Sequence, residues 1–171
     1  ADVLCVFIPE IKESIGFEQI NRHHIYDVYT HSLKALEQSK NDLHIRLALL
    51  LHDIGKPYVA HFDEKGEQHY YSHPKKSAEL TKDILSRLRF DNDTKEKVLT
   101  LVRMHDTPIM LDKEDAPSKK RLKRILSQIG VDLTYDLIEI KRCDNSAQNP
   151  KYYRGDDFYK ATYDMLNEII N

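Results

Sequence analysis

The residues best suited to chemistry in this sequence are a His–Asp pair at the end of an apolar segment. His52 and Asp53 directly follow residues 43–51, which are apolar almost all round a predicted helix. A buried carboxylate is costly without a compensating cation, and the negative end of a helix dipole disfavours an anion further. A metal ion would remove both penalties. Isolated His–Asp pairs are nevertheless common by chance, so the pair alone supports a metal site only weakly.

Two further residues could complete such a site. His31 lies on the inward face in the first turn of the preceding predicted helix. Two helices joined by a short connection pack antiparallel, which would place His31 level with His52. Taken alone, His31 is also consistent with a hydrogen-bonded core histidine. Asp144 ends a later predicted helix and, by itself, is better explained as a surface or capping aspartate.

The elements that must position these residues are mostly helical. Gly and Pro are scarce, with 5 and 6 copies, and apolar residues recur at helical spacing, which predicts an all-α bundle. The predicted helices are one capped by Asp27, one from Asp42 to Asp53 that Gly55 terminates, one from His73 to Arg89, one from an Asp93–Glu96 capping pair to His105, one from Ser118 to Gly130, one from Asp132 to Asp144, and one from Asp156 to Ile170.

Residues 58–72 read as a short β-hairpin. Val59–Phe62 and Gln68–Tyr71 flank a turn at residues 63–66. His61 and His69 would then form a cross-strand pair. We expect these two histidines, and His44, to stay outside any metal site.

The bulk composition limits the classes of protein. With 171 residues, 40% hydrophobic and 32% charged, the chain predicts one soluble globular domain over residues 1–171. A net charge of −2 argues against a surface built for nucleic acid, except for the basic run at residues 119–124, which is either a solvated helix face or a local phosphate or RNA contact. Sequence inspection finds no apolar run near the roughly 20 residues of a membrane span. Two cysteines favour a reducing, cytoplasmic setting.

The stretch Leu51-His52-Asp53-Ile54-Gly55-Lys56-Pro57, with His31 before it and Asp144 far after it, resembles the HD superfamily of metal-dependent phosphohydrolases. The resemblance covers about residues 8–150. It implies that His31, His52, Asp53 and Asp144 bind the metal and that Asp53 bridges two ions. His73 and His105 occupy the places where some members of the superfamily bind a second metal.

A narrower resemblance concerns residues 22–33, residues 141–150 and the hairpin leading to His73. These segments are similar to the HD domain of bacterial tRNA nucleotidyltransferases of the poly(A) polymerase family. Those proteins carry a separate nucleotidyltransferase head with paired aspartates on a strand, which nothing in this sequence matches. Asp91-Asn92-Asp93 is interpreted as a helix cap instead. The chain is therefore expected not to transfer nucleotides alone, and to be either a free-standing relative or a piece of a longer enzyme.

The predicted chemistry is hydrolysis of a phosphate ester with one or two divalent ions. Imidazole and carboxylate ligands suit Mn, Fe, Ni, Co, Zn or Mg, and such an ion lowers the pKa of a bound water. Lys56 could reach a phosphate oxygen or offset developing charge, although an exposed lysine after a helix is the ordinary alternative. Arg22 and His23 or His24 are further candidates for phosphate contact.

The resemblance implies nucleotide or RNA-end substrates, such as 2′,3′-cyclic phosphates or 2′-nucleotides. Two other interpretations remain open from the sequence. One is a non-catalytic RNA-binding module of a tRNA-maturing enzyme. The other is a structural helical domain whose histidines and aspartates form a satisfied polar core.

Overall fold

Helices dominate the structure, a computed structural model that describes residues 2–110 and 116–171. This confirms the prediction of an all-α fold with one small hairpin. The described residues form helices α1 (Asp2–Phe7), α2 (Val28–Glu37), α3 (Leu43–Leu51), α4 (Lys56–Val59), α5 (His73–Arg87), α6 (Asn92–Met104), α7 (Lys119–Ser146) and α8 (Asp156–Ile170), strands β1 (His61–Phe62) and β2 (Gln68–His69), and 3₁₀ turns at Pro9–Ser14 and Pro150–Tyr152.

Helix α3 lies at the centre of the bundle. It packs against α2, α6 and α7, while α5 packs on α6 and α8 packs on α7. Ile45, Ala48, Leu49 and Leu51 of α3 are fully buried, as its apolar sequence predicts. Because the helix is surrounded, the two residues that follow its last turn, His52 and Asp53, emerge inside the protein.

Aspartate side chains begin three of the helices. Asp27 and Asp42 accept hydrogen bonds from first-turn backbone N–H groups at 2.6 and 3.1 Å, which confirms the predicted cap at Asp27 and the predicted helix start at Asp42. The predicted Asp93–Glu96 pair is wrong. Asp91 caps α6 instead, because it has the extended backbone that a cap needs, whereas Asp93 already lies in the first helical turn.

Gly55 does not act as predicted, whereas Gly130 does. Gly55 has an ordinary helical φ of −82° and leads directly into α4, so it does not terminate the preceding helix in the left-handed region. As a result Val59 is helical and not the first residue of a strand. Gly130, with the non-helical angles φ 78° and ψ 179°, divides α7 into two helical parts at a kink, as the predicted helix end at this residue requires.

The hairpin is two residues long on each side. His61 pairs with His69, as predicted. Gln68 joins the hairpin to the segment before α2, since its backbone N–H donates to the Ile20 carbonyl at 3.3 Å and its side-chain oxygen accepts from the Ile20 N–H at 2.9 Å. These bonds bring residues 20–24 beside the chain that leads from Asp53 to His73. None of the described helices is long and apolar enough to cross a membrane.

Candidate metal centre

Four residues from three parts of the fold converge at the end of α3. His31 comes from the start of α2, His52 and Asp53 follow α3, and Asp144 lies near the end of α7. The Nε2 atom of His31 is 2.8 Å from Asp144 Oδ1 and 3.6 Å from Asp53 Oδ2. The Nε2 atom of His52 is 3.2 Å from Asp53 Oδ2 and 3.6 Å from Asp144 Oδ1. Such separations leave room for one ion at the centre of the group.

Two more histidines face the other oxygen of Asp53. His73, the first residue of α5, places its Nε2 atom 3.3 Å from Asp53 Oδ1. His105, which follows α6, places its Nε2 atom 3.5 Å from the same oxygen. The Asp53 carboxylate therefore lies between two groups of imidazoles, with one oxygen turned towards each. This is the arrangement a carboxylate needs to contact two cations.

The same kind of hydrogen bond orients all four imidazoles. Each is within hydrogen-bonding distance of a backbone carbonyl through its Nδ1 atom, and a carbonyl can only accept, so the proton sits on Nδ1. The carbonyl partners are Ala147 for His31 at 3.3 Å, Leu49 for His52 at 2.8 Å, Tyr70 for His73 at 2.9 Å, and Val102 for His105 at 2.7 Å. A ring without a proton on Nε2 consequently turns that lone pair inward, as metal-binding histidines do.

These lone pairs lack suitable partners within the described protein. The buried atoms His52 Nε2 and Asp53 Oδ1 have no hydrogen-bond partner among the described residues. The Nε2 atoms of His73 and His105 lie 3.0 Å apart, where two neutral lone pairs would repel each other. Unpaired buried acceptors are costly. A divalent cation would satisfy all of them, so the residues present fit a metal.

The electrostatics favour positive charge in the same place. Burial lowers the pKa of His52, but the carboxylates of Asp53 and Asp144 outweigh this effect and raise it to about 10. Burial raises the pKa of Asp53, yet His52 and Lys56 hold it well below its usual range. Burial lowers the pKa of His105, which keeps that ring neutral. The carboxylates that favour a proton on His52 in the metal-free protein would also favour a metal ion, which would displace that proton.

Lys56 is buried beside the cluster. Its Nζ atom is 2.7 Å from Asp53 Oδ2, donates to Gln19 Oε1 at 2.7 Å and lies 3.3 Å from His24 Nε2. Burial and the nearby Lys56 charge lower the pKa of His24 to about 3. His24 is therefore neutral, with its Nδ1–H directed at Asn21 Oδ1 at 2.9 Å. The side chain of Gln19 is a neighbour of Lys56 that no local sequence signal had marked.

A cleft of 790 Å³ opens above Asp144. Arg22 and His23 line its wall, and their side chains contact each other at 3.2 Å instead of reaching the buried cluster. His24 belongs to both regions, because it lines the cleft and its ring centroid is 5.3 Å from that of His31. The phosphate contacts predicted for these three residues and for Lys56 stay predictions.

Two functional candidates were missed from the sequence. Lys141, one turn before Asp144, is half-buried at the edge of the cleft and donates to the His105 carbonyl at 2.6 Å, and burial lowers the pKa of its ammonium group. Asn145 makes hydrogen bonds to four residues around the cleft mouth, which are Gln148, Tyr152, Arg154 and Tyr159. Two signals could have drawn attention to Asn145: its position directly after Asp144, and its place in the segment 141–150 that carries the narrower resemblance.

The predicted non-ligand His69 lies in a separate group in the hairpin with Asp63 and Glu67. The oxygens of Asp63 are already used there. One accepts the backbone N–H groups of Lys65 and Glu67, each at 2.9 Å, and the other accepts from His69 at 3.0 Å. Hydrogen bonds within the turn thus account for this group, and it needs no metal ion.

Comparison with known proteins supports the resemblance seen in the sequence. Residues 21–132 match the family model of the HD domain. The chain is 32% identical over 151 residues to an A-adding tRNA nucleotidyltransferase of Deinococcus radiodurans and 31% identical over 151 residues to a CC-adding tRNA nucleotidyltransferase of Thermus thermophilus. Each alignment covers 85% of this chain and 33% of the relative. A multifunctional CCA protein of Pseudomonas fluorescens is 34% identical over 106 residues, which is 60% of this chain and 25% of that protein.

The chain thus spans about a third of the length of the two tRNA nucleotidyltransferases that it matches over 151 residues. The predicted similarity to tRNA nucleotidyltransferases is confirmed. The match to the HD model extends over more than half of the chain and includes His31, the His52–Asp53 pair, His73 and His105. This chain belongs to the HD domain family.

Proposed function

We propose that this chain is a metal-dependent phosphohydrolase that acts on phosphate esters of nucleotides or RNA ends. We treat residues 1–171 as one HD domain, either free-standing or part of a longer tRNA nucleotidyltransferase-like protein. The observation that carries the proposal is the convergence of His31, His52, Asp53 and Asp144 beneath an open cleft. The unpaired buried atoms of His52 and Asp53 argue against a polar core with a purely structural role.

We assign two groups of ligands. His31, His52, Asp144 and Asp53 Oδ2 would hold one divalent ion, and His73, His105 and Asp53 Oδ1 would hold a second. The donor set suits Mn, Fe, Ni, Co, Zn or Mg. When bound, such ions supply a Lewis acid for the phosphate and lower the pKa of water.

The protein's own residues supply orientation and fixed charge. Lys56 holds Asp53 in place through its 2.7 Å ion pair, and its buried charge would offset negative charge that develops on the phosphate. Gln19 and His24 in turn hold the Lys56 ammonium group. The Asp144 side chain is more exposed than that of Asp53, at 21% against 2%. Substrate would therefore approach from the Asp144 side.

The cleft supports a nucleotide-sized substrate. It combines positive side chains, Arg22 and Lys141 among them, with aromatic and amide groups along its wall. Of the three residues predicted to contact the phosphate, His24 lies beside the cluster, with its ring centroid 5.3 Å from that of His31, whereas Arg22 and His23 lie farther out along the cleft wall. The relatives from Deinococcus radiodurans and Thermus thermophilus are tRNA nucleotidyltransferases, which favours RNA ends or nucleotides over other phosphate esters.

A second candidate function is a non-catalytic RNA-binding module. It is favoured by a groove of 590 Å³ at the start of α7, where Lys120 and Arg124 lie beside Met104 and Pro108. Basic side chains at such a groove could contact RNA phosphates. In that case the metal ligands would stabilise the fold, and the protein would bind tRNA without hydrolysing any phosphate ester.

Metal analysis is the first test. Purified wild-type protein is expected to contain close to one or two equivalents of a divalent metal, measured by plasma mass spectrometry. Asp53→Ala is expected to lose most of it, because Asp53 contributes to both ligand groups. His44→Ala is the matched control, since His44 lies at the other end of α3. Full metal content in Asp53→Ala would show that the assigned site is wrong.

Hydrolysis is the second test. Chelated protein is reloaded with each of the six metals and assayed with bis(p-nitrophenyl) phosphate and 2′,3′-cyclic AMP. We expect turnover with at least one metal and its loss in Asp53→Ala but not in His44→Ala. Metal binding without turnover of either substrate, together with tRNA binding in a filter assay, would reject the hydrolase in favour of the binding module.

A further inference from the structure

One wall of the cleft is aromatic and lies apart from the metal ligands. Tyr152 ends the 3₁₀ turn Pro150–Tyr152, lines the cleft and is 36% exposed. Its ring centroid is 4.5 Å from that of His23, with 55° between the ring planes. The guanidinium carbon of Arg22 lies 5.8 Å from the Tyr152 ring centroid. We call these three side chains the aromatic wall.

The aromatic wall is held together across a long sequence separation. The Asn149 backbone N–H donates to the His23 carbonyl at 2.8 Å, and its side-chain amide donates to the Arg22 carbonyl at 3.1 Å. The Asn149 side-chain oxygen also accepts from the Lys151 N–H at 3.2 Å, which starts the turn that carries Tyr152. The wall is therefore arranged before any ligand binds.

Asn145 connects this wall to the metal centre. Its side-chain N–H donates to the Tyr152 carbonyl at 3.1 Å. Its side-chain oxygen accepts from the Arg154 N–H at 3.0 Å and from the Tyr159 hydroxyl at 3.2 Å. Because Asn145 follows Asp144 directly, these bonds fix the position of the wall relative to a predicted metal ligand.

A phosphate ester bound at the Asp144 end would leave its alcohol portion beside the aromatic wall. Flat rings and guanidinium planes are the surfaces on which nucleobases stack, and stacking tolerates any base. A second guanidinium, that of Arg154, lies at the same mouth, 5.4 Å from the Phe158 ring centroid. We propose that Tyr152, with His23 and Arg22, forms a nucleobase-stacking subsite that selects nucleotides over base-free phosphate esters. This inference rests on the proposed function, because the proposed function places the phosphate of the ligand at the Asp144 end of the cleft.

The test compares two ligands that differ in the base alone. Binding of adenosine 5′-monophosphate and of ribose 5-phosphate to the metal-loaded protein is measured by isothermal titration calorimetry. We expect the nucleotide to bind roughly tenfold more tightly, the usual size of one base–aromatic stack. The ratio of the two dissociation constants should fall towards one in Tyr152→Ala and persist in Tyr152→Phe, which keeps the ring. Tyr58→Ala is the matched control, because Tyr58 is 45% exposed and lies outside the cleft lining.

A measurement on the wild-type protein covers the case in which Tyr152→Ala does not fold. In saturation-transfer NMR, the adenine protons should receive more saturation than the ribose protons. Equal affinity for the two ligands, an unchanged ratio in folded Tyr152→Ala, or stronger saturation of the ribose would overturn the inference. Hydrolysis assays remain a separate readout. If the protein prefers the nucleotide but hydrolyses no substrate, the hydrolase proposal is rejected and the stacking subsite is kept. If it hydrolyses a substrate but shows no preference for the base, the stacking subsite is rejected and the hydrolase proposal is kept.

Discussion

Replacing Gly55 with alanine should destabilise the protein through a steric clash beside the metal centre. A Cβ atom at this position would lie 2.5 Å from the Ser77 backbone nitrogen, 2.8 Å from Ser77 Oγ and 2.9 Å from the His73 carbonyl oxygen. Two of these atoms belong to the backbone of α5 and cannot rotate away. Since Gly55 has a φ of −82°, the cost comes from the contact and not from backbone conformation.

The magnitude follows from two losses. Overpacking a tight core contact costs about 1–3 kcal/mol. The displaced helix would also break the 2.9 Å hydrogen bond from the Gly55 N–H to Ser77 Oγ, and a buried N–H without a partner costs about 1–3 kcal/mol. The free energy of unfolding of Gly55→Ala should therefore fall by about 2–6 kcal/mol, which lowers Tm by roughly 4–24 °C in a domain of this size.

Urea unfolding followed by circular dichroism measures the change. Gly66→Ala is the control, because Gly66 has a φ of +78° and no atom within 4 Å of an added Cβ. In that variant the free energy of unfolding should fall by only about 1–2 kcal/mol, the cost of placing alanine in the left-handed region. A loss in Gly55→Ala no larger than in Gly66→Ala would refute the reasoning. Because α5 begins with His73, we also expect Gly55→Ala to weaken binding of the second metal.

Three further predictions concern a buried cation, a helix cap and a half-buried ion pair. Lys56→Ala should lower kcat by roughly 100-fold while metal content stays above that of Asp53→Ala, and unchanged turnover would remove Lys56 from the mechanism. Asp91→Ala should cost about 1 kcal/mol in urea unfolding, the usual value of an N-cap, and Asp93→Ala should cost less. Glu139→Gln should lower stability at pH 7 by about 1.5 kcal/mol. Burial raises the pKa of Glu139, but the hydrogen bond and charge of Arg142 outweigh burial and hold this pKa below its usual 4.5. The ion pair therefore stabilises the protein fully above pH 4.5, and this stabilisation is lost as the pH falls through the pKa of Glu139 in the folded protein. A difference between wild type and Glu139→Gln that persists undiminished at pH 3 would contradict this assignment.

Several features could be predicted from the sequence because they depend on local interactions. Asp27, Asp42 and Ser118 cap their helices through hydrogen bonds to N–H groups three residues away. Apolar spacing places the central helix, since burial of a whole helix face follows from its residue types. Local patterns also mislead where two residues compete. Asp91 and Asp93 are chemically equivalent as caps, and the backbone around them decided between the two.

The sequence alone determined which chemistry is available: imidazoles, carboxylates and a lysine in an HD pattern on predominantly helical segments. Only the tertiary structure decided how these groups face one another. The inward Nε2 atoms depend on carbonyls such as Ala147 for His31, which lies 116 positions away. The contact of His23 with Tyr152 and the close approach of Gly55 to Ser77 likewise join distant segments. Such contacts form only when the helices pack together. Local sequence preferences do not fix the orientation of a ring or its distance from a residue far away in the chain, and hydrogen bonds between the packed segments do.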